Sequence, residues 1–317
     1  MKRIFECVFI MLRFYITPKY WKKHFLRVIN RNIWLLGAIW LLISLIDFFF
    51  KESSPIPQNP NVFWMVFFTS ALIATLLTLP ILSVSERIKG KDISITIVVG
   101  DIFKQKGDLI IATNSTFDTT FEDDFISTKS IQGQLTEREY DKIDHLDQEI
   151  AIQLNNYKPV KEHNRRSSKN KQYEIGTIVK LNHRSGFKSY WVALADVNEH
   201  GKPNGQFENL QICLEALWRY VSKKGHMTRL VMPIIGSGKT GINENRFKIL
   251  QETIFSFVGA NLTEKKNKFT EELVICILPN DIISEKLDID ELKEYLNYQC
   301  KYRYDSMDGR STSKETN

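Results

Sequence analysis

Two glycine-containing junctions hold the residues whose types and spacing point to chemistry. The first reads Val98-Val99-Gly100-Asp101-Ile102, and the second, Met232–Ile242, reads MPIIGSGKTGI. Three glycines within six residues let the backbone approach a ligand closely, and successive amide N–H groups ahead of a helix form a cradle for phosphate. The second junction therefore predicts a phosphate site, and a glycine-rich turn without a ligand is the alternative.

The triplet Gly238-Lys239-Thr240 does not belong to a Walker A motif. That motif requires a glycine five residues before the triplet, where this chain has Pro233. The predicted phosphate contacts are therefore those of a glycine-rich turn, namely Gly236, Ser237, Gly238, Lys239, Thr240, Gly241 and Ile242.

Alternating strand-like and helix-like segments surround the two junctions. Ile93, Ile95, Ile97 and Val99 recur at every second position of Asp92–Val99, which is typical of a strand. Thr136 with Glu139 three residues later predicts a capping box at the start of a charged helix. Further strands are predicted at Asp108–Thr113, Glu174–Leu181, Tyr190–Ala195, Arg229–Ile235 and Glu272–Leu278, and helices at Thr136–Asn155, Asn204–Gly225, Asn243–Leu262 and Asp288–Gln299.

This alternation predicts an α/β fold class, a three-layer α/β/α domain with a mixed, mostly parallel sheet over residues 92–300. Ligands of such sheets bind beyond the carboxyl ends of the strands. Both glycine-containing junctions follow predicted strands, so they are expected at one edge of the sheet. Residues 301–317 are expected to form a polar tail.

Two apolar segments precede this domain and predict a transmembrane hairpin over residues 33–84. Residues 33–50 and 62–84 contain 18 and 23 residues with one charge between them. As helices they would be about 27 and 34 Å long, close to the roughly 30 Å hydrocarbon core of a bilayer. Residues 1–32 are predicted to be a basic amphipathic segment, and residues 85–91 a polar linker.

The net charge of +6 is concentrated at the N-terminus. Residues 1–32 contain eight lysines and arginines and one acidic residue, so the rest of the chain is close to neutral. This distribution predicts membrane lipids rather than nucleic acid as the partner of the basic segment. By the positive-inside rule, both termini and the α/β domain are expected on the cytoplasmic side of a bacterial cell membrane. The basic stretch at residues 157–173 could bind nucleic acid or phospholipid, or be a solvated loop.

The cysteines give no sign of a metal site or a disulfide framework. Cys7, Cys213, Cys276 and Cys300 are far apart in sequence, without a CxxC pair or a histidine at ligand spacing. No cofactor and no metal are expected, and buried, reduced thiols are predicted. The sequence leaves open whether Glu208, Arg246 and His183 reach the ligand site.

The segment GDIFKQKGDLIIATNS resembles the opening of a macro domain, whose usual pattern is GDI, an apolar strand and then AANS. The segment PIIGSGKTGI resembles the second phosphate loop of that family, and the resemblance covers about residues 93–278. It implies an ADP-ribose derivative as the ligand. It also implies that Asp101 and the backbone of Ile102 contact the adenine, that Asn114 faces the distal ribose, and that Gly236–Ile242 hold the diphosphate.

The chain departs from hydrolytic macro domains after Asn114. The family's glycine run is replaced by STFDTTFEDDF, and its earlier asparagine is Ile111. Asp123 and Asp124 do not match a catalytic carboxylate. The following segment could instead contact a phosphate or an extra ligand group through Ser130, Gln132 and Gly133.

The whole arrangement of two spans, a divergent macro domain and the segment SIQGQ is similar to the membrane-bound effectors of bacterial Thoeris anti-phage systems. That resemblance implies a partner TIR-domain enzyme that makes the signal, with histidine-ADP-ribose as the expected signal for the two-span subclass. It further implies homo-oligomerisation on activation, membrane disruption and abortive infection, without enzymatic activity in this chain. The alternatives are a membrane-tethered ADP-ribosyl hydrolase and a membrane-anchored binding protein that only scaffolds partners.

Overall fold

A computed structural model describes residues 18–50, 60–79, 81–122, 125–163, 169–198, 203–225, 227–238, 241–263, 269–284 and 287–303. The backbone divides into two compact units. One comprises residues 1–82 with 283–285, and the other comprises residues 83–282 with 286–317. Each unit is described separately.

The N-terminal unit contains helices α1 (Pro18–Phe50) and α2 (Pro60–Leu77), which pack side by side. Ser70 and Ala74 on α2 are fully buried, and small residues of this kind let two helix backbones approach closely. Ser70 Oγ is hydrogen-bonded to Asn32 Oδ1 at 2.7 Å, and the ring of Phe63 lies 6.1 Å from that of Trp40. The earlier residue of α1, Asn32, meets the later residue of α2, Ser70, and Trp40 meets Phe63, so the hairpin is antiparallel.

The two helices differ from the predicted spans in their limits. Helix α1 is continuous from Pro18, so residues 18–32 run into the first predicted span without a break in the helix; residues 1–17 lie outside the described part. Within that part, one helix is long and apolar enough to cross a membrane, Phe25–Phe50 with a mean hydropathy of 2.3. The shorter apolar helix ends at Leu77, and the prediction that it reaches residue 84 was wrong.

Residues 83–87 are a strand, so the predicted linker at residues 85–91 begins inside the folded domain. Strand β1 (Ser83–Arg87) pairs antiparallel with β2 (Ser94–Val99). The buried side chains of Val84 and Ile88 explain the difference, because these two apolar residues pack within the domain.

The remaining strands of the main sheet are β3 (Asp108–Asn114), β6 (Ile178–Asn182), β7 (Lys188–Val197), β8 (Pro203–Asn204), β9 (Leu230–Pro233) and β10 (Glu272–Ile277). The C-terminal unit is built on this mixed sheet in the order β1-β2-β10-β9-β3-β7-β6, with β8 paired to β7. Its central strands β2, β10, β9, β3 and β7 are parallel, while β1, β6 and β8 are antiparallel to their neighbours. Strands β4 (Lys161–Glu162) and β5 (Lys171–Gln172) form a separate hairpin.

Helices cover both faces of the sheet, which confirms the predicted three-layer α/β/α class. On one face α3 (Ile131–Glu139) and α4 (Ile143–Leu154) contribute Leu135 and Leu146 to a core that includes Trp191 of β7. On the other face the ring of Tyr190 packs against Tyr220, and Trp218 packs against Phe257. That layer consists of α5 (Phe207–Lys224), α6 (Arg246–Thr263) and α8 (Ile289–Lys301), and a short α7 (Pro279–Ile283) follows β10.

The helix predicted over Thr136–Asn155 is two helices, and its predicted cap was wrong. Ser130 caps α3 by accepting a hydrogen bond from Gly133 N at 3.0 Å. Thr136 lies inside α3, where its hydroxyl donates to Gln132 O at 3.0 Å. The chain leaves the helical conformation at Tyr140, and α4 starts at Ile143.

Three of the four cysteines are described, and all three are buried free thiols. They are Cys213 in α5, Cys276 in β10 and Cys300 in α8. Burial raises the pKa of each thiol to about 12. Among the described residues, no group of histidine, cysteine, aspartate or glutamate side chains is placed to hold a metal ion.

Candidate functional site

The parallel pairing brings four loops to one edge of the sheet. The registers are Ser94 opposite Glu272, Leu273 opposite Leu230, and Leu230 opposite Asp108. These strands end at Val99 (β2), Ile277 (β10), Pro233 (β9) and Asn114 (β3), so the four loops that follow them leave the sheet at the same edge in a row. Neighbouring strands are about 4.8 Å apart, so the row of four strand ends covers about 14 Å. This edge therefore suits an elongated ligand that contacts several loops at once.

The loop after β2 presents an exposed carboxylate at one end of the row. Asp101 Oδ1 accepts a hydrogen bond from Phe103 N at 3.0 Å and so caps a single 3-10 turn at Ile102–Lys104. The side chain of Ile102 is buried in the core and anchors this turn. The Asp101 carboxylate is thereby held at the surface, where a ligand N–H can reach it.

The glycine-rich loop after β9 folds back on itself in the middle of the row. Gly236 has φ +82°, and a Cβ at this position would overlap Ile242 Cδ1. Ile242 N donates to Gly236 O at 3.3 Å, and its side chain is buried. The loop thus needs glycine at position 236 to close. Ser237 is half-buried and Gly238 and Gly241 are exposed, while Lys239 and Thr240 lie outside the described residues.

Arg246, the first residue of α6, fastens this loop to the next one. One of its guanidinium nitrogens donates to Ser237 O at 3.4 Å, and another forms an ion pair with Asp281 of α7. The side chains of Arg246 and Asp281 are 23% and 8% exposed, so the pair is largely shielded from water. The Asp281 carboxylate balances the charge of the guanidinium, so Arg246 serves here as a fixed hydrogen-bond donor that holds the glycine-rich loop.

The loop after β3 closes the other end of the row with a buried polar network. Asn114 Nδ2 donates to Asp118 Oδ2 at 2.9 Å, and Asp118 N donates back to Asn114 Oδ1 at 3.0 Å. Thr116 Oγ1 lies 2.6 Å from Asp118 Oδ2 and 3.3 Å from Asn114 Oδ1. All three side chains are buried. The network fixes Asn114 at the end of its strand.

A second ring of contacts holds that network in place. Lys169 N donates to Asp118 Oδ1 at 3.0 Å, and Lys169 Nζ contacts Phe117 O at 2.8 Å and Asp147 Oδ1 at 2.6 Å. Thr119 Oγ1 also donates to Asp147, at 2.6 Å. Burial lowers the pKa of the Lys169 ammonium, and the carboxylates of Asp147 and Asp118 oppose that shift. The loop is therefore tied to α4 and to the segment before β5.

The chain matches the family model described as Thoeris protein ThsA, Macro domain, over residues 95–278. That range is more than half of the chain. The chain belongs to this family. Comparison with curated proteins gave no match.

Solved macrodomain structures from Oceanobacillus iheyensis are also similar to the chain. A mutant of that macrodomain with ADPR aligns with a TM-score of 0.43 and 16% identity, over 67% of this chain and 99% of that one. The same macrodomain with ADP gives a TM-score of 0.43 and 16% identity, over 67% of this chain and 98% of that one.

The residues predicted from sequence for this ThsA macro domain fall into two groups. Asp101 and the glycine-rich loop lie along the sheet edge with accessible groups. Asn114, Gln132 and Gly133 are buried within the loop network. Gln132 Nε2 donates to Asp118 O at 2.6 Å, and a Cβ on Gly133 would overlap Ser127 O. In this structure Ser130, Gln132 and Gly133 therefore fasten the loop and start α3, which is a structural role that the sequence reasoning did not foresee.

The structure shows where the three residues lie whose access to the site the sequence did not decide, Arg246, Glu208 and His183. Arg246 is part of the site, while Glu208 is exposed in the first turn of α5. His183 follows β6 at the opposite edge of the sheet, where its Nε2 lies 2.7 Å from Ser189 Oγ. The sequence reasoning missed Thr116, Asp118 and Lys169. An asparagine followed at two and four residues by threonine and aspartate is a pattern typical of side-chain-bonded turns, and it could have indicated the first two.

The ion pair of Arg246 yields a prediction about stability. The variant Arg246→Met leaves the buried Asp281 carboxylate without its partner, and we expect it to lower the free energy of unfolding by about 3 kcal/mol. Arg219→Met, which removes an exposed pair with Glu215, is the matched control with an expected cost of about 0–1 kcal/mol. Denaturant titrations of the full chain, followed by tryptophan fluorescence, measure both, and equal costs would contradict the structural role of Arg246.

His183 gives a prediction about pH. Burial lowers its pKa from 6.5 to about 4, so the unfolded chain takes up a proton at a higher pH than the folded chain does. His183 therefore contributes stability that is fully present above about pH 6.5 and is lost as the pH falls towards 4. We expect His183→Gln to flatten the fall in stability across this range by up to about 1.4 kcal/mol per pH unit. The exposed His145→Gln serves as control, and an unchanged slope in His183→Gln would contradict the assignment.

Proposed function

We propose that this chain is a Thoeris anti-phage effector whose macro domain binds an ADP-ribose-derived signal and whose N-terminal helices act on the membrane. The observation that carries the proposal is the row of four loops at one sheet edge of a ThsA macro domain, with Asp101 after β2, the glycine-rich loop after β9 and Asn114 at the end of β3. We further propose that a partner TIR-domain enzyme makes the signal and that histidine-ADP-ribose is its identity.

The chemistry of the row fits such a ligand from end to end. The Asp101 carboxylate is an acceptor suited to the exocyclic amine of adenine. The glycine-rich loop leads to the N-terminus of α6, where backbone N–H groups and the helix dipole favour a diphosphate. Arg246, paired with Asp281, holds the loop at this point through its hydrogen bond to Ser237 O. The amide of Asn114 then lies at the end where the distal ribose and its substituent would be bound.

The contacts around Asn114 favour a sensor over a hydrolase. A general base needs a carboxylate oxygen that can accept a proton from water. Asp118 accepts hydrogen bonds on both oxygens, from Lys169 N on one and from Asn114 and Thr116 on the other. Asp147 is bound by Lys169 and Thr119. Asp123 and Asp124 lie outside the described residues.

The helical hairpin supports a membrane output. The apolar part of α1, at 26 residues, is about 39 Å long, which exceeds the roughly 30 Å hydrocarbon core. The outward side chains of the hairpin include Trp34, Phe48, Trp64 and Phe68, each more than half exposed. Apolar surface of this extent is stabilised by lipid. We propose that both helices lie in the bacterial cell membrane, with the macro domain on the cytoplasmic side.

Two helices cannot enclose an aqueous pore within one chain, so we propose that several copies assemble on activation. The signal must then bind the assembled state more tightly than the resting state, with about 1.4 kcal/mol of differential binding for each tenfold shift in population. Membrane disruption by the assembly would cause abortive infection.

A binding experiment tests the sensor directly. Full-length protein in detergent micelles is titrated calorimetrically with ADP-ribose and with histidine-ADP-ribose, and the recovered ligand is analysed by mass spectrometry. We expect binding of intact ligand. In Gly236→Val the side chain would meet Ile242, so affinity should fall by about tenfold or more. Gly186→Ala, with φ +86° and open space at the opposite edge of the sheet, is the control. Cleaved ligand would support the hydrolase, and no binding would overturn the proposal.

A vesicle experiment tests the output. The full chain is reconstituted into dye-loaded vesicles of phosphatidylethanolamine and phosphatidylglycerol, and histidine-ADP-ribose is added. We expect dye release that depends on the ligand and is absent with Gly236→Val, because the variant cannot receive the signal. Ligand binding without release would instead favour a membrane-anchored scaffold.

A further inference from the structure

We propose that Thr116 and Asp118 are positioning residues that fix the orientation of the Asn114 carboxamide, so that its N–H and not its carbonyl oxygen meets the ligand. The inference rests on the proposed function, because it assigns the chemistry of one end of the same site. It concerns ligand specificity: the atom that meets Asn114 must be a hydrogen-bond acceptor, such as a ribose hydroxyl oxygen.

The orientation of the Asn114 amide follows from its partners. Asp118 N can only donate, so the atom that it meets at 3.0 Å must be the carbonyl oxygen Oδ1. An ionised Asp118 carboxylate can only accept, so the atom 2.9 Å from its Oδ2 must be the amide nitrogen Nδ2. Both contacts require the same orientation, and the reversed amide would face a donor with a donor and an acceptor with an acceptor.

Thr116 stabilises the same orientation of the Asn114 side-chain amide. Its hydroxyl lies 2.6 Å from Asp118 Oδ2 and 3.3 Å from Asn114 Oδ1, so its one hydrogen can serve either acceptor. The closer contact is with Asp118, so Thr116 holds the carboxylate that binds Asn114 Nδ2, while Asp118 N engages the Asn114 carbonyl oxygen. Asp118 takes one of the two Nδ2 hydrogens, and the second is the one that the proposed ligand contact uses.

The groups behind the network make this arrangement stiff. Asp118 is fully buried, with Lys169 N on its second oxygen and Gln132 Nε2 on its carbonyl oxygen at 2.6 Å. Phe117, between Thr116 and Asp118, has φ +53° and is fully buried against Tyr173. A buried carboxylate with several donors is costly to disturb, so the loop holds Asn114 in one rotamer.

The positioning role predicts that changes in these residues affect the binding affinities of two related ligands differently. ADP-ribose extends past the diphosphate to the end of the row where Asn114 lies, whereas ADP ends at the diphosphate. A change in the positioning residues should therefore weaken binding of ADP-ribose and leave binding of ADP unchanged. A residue that only supported the fold would affect both ligands alike.

The test uses the full chain in detergent and calorimetric titration with ADP-ribose and ADP. We expect Thr116→Val and Asp118→Asn to lower the affinity for ADP-ribose by about 3- to 10-fold and to leave that for ADP unchanged. Thr116→Ser retains the hydroxyl and should restore wild-type affinity for both. Asp141→Asn, which removes a carboxylate from an exposed pair with Arg184 at 2.7 Å, is the control.

The outcomes separate this inference from the proposed function. Equal weakening of both ligands by Thr116→Val, or no change for either, would overturn the positioning role while the sensor stands. The same conclusion follows if the wild type binds ADP as tightly as ADP-ribose. Failure of the wild type to bind either ligand would overturn the proposed function and this inference together. Thr116→Val decides the question if Asp118→Asn does not fold.

Discussion

The arrangement of the site depends on parallel pairing of β2, β10, β9 and β3. Parallel strands all end at the same edge, and their fixed register brings the loops that follow them side by side. The loops come from distant parts of the chain, around residues 101, 114, 236 and 279. A shift of one residue in any of these pairs would reverse the faces of that strand and move its loop out of the row. The hydrophobic residues buried on both faces of the sheet prevent such a shift.

The two neighbouring loops after β9 and β3 are stabilised by different physical means. The glycine-rich loop depends on backbone conformation, because only glycine combines φ +82° with the close approach of Ile242. The loop after β3 has no glycine run and depends on buried polar contacts among Asn114, Asp118 and Lys169. The first leaves backbone groups of Gly238 and Gly241 at the surface, and the second holds one side chain rigidly. Rigid placement lowers the entropy lost when a ligand is bound.

The sequence predicted the fold class, the order of the main elements and the two glycine-containing junctions, because each has a local signal. Periodicity identified the strands and helices, and glycine spacing identified the turns. The ends of elements were less predictable. Val84 is apolar enough to extend a membrane helix, but it packs in β1 instead. The break at Tyr140 has no glycine or proline to mark it. The polar network was missed because Lys169 is 51 residues from Asp118, and no local pattern reports such a pairing.

The buried thiols have a consequence for the chemical resilience of the domain. Only the thiolate form of cysteine reacts readily with oxidants and electrophiles. With pKa values of about 12 for Cys213, Cys276 and Cys300, on the order of one thiol in 10⁵ is ionised at pH 7, and each is shielded from solvent. These three positions are therefore expected to react slowly with peroxide and thiol-modifying agents while the domain is folded. The packing around α5, β10 and α8 would then be preserved under oxidative stress.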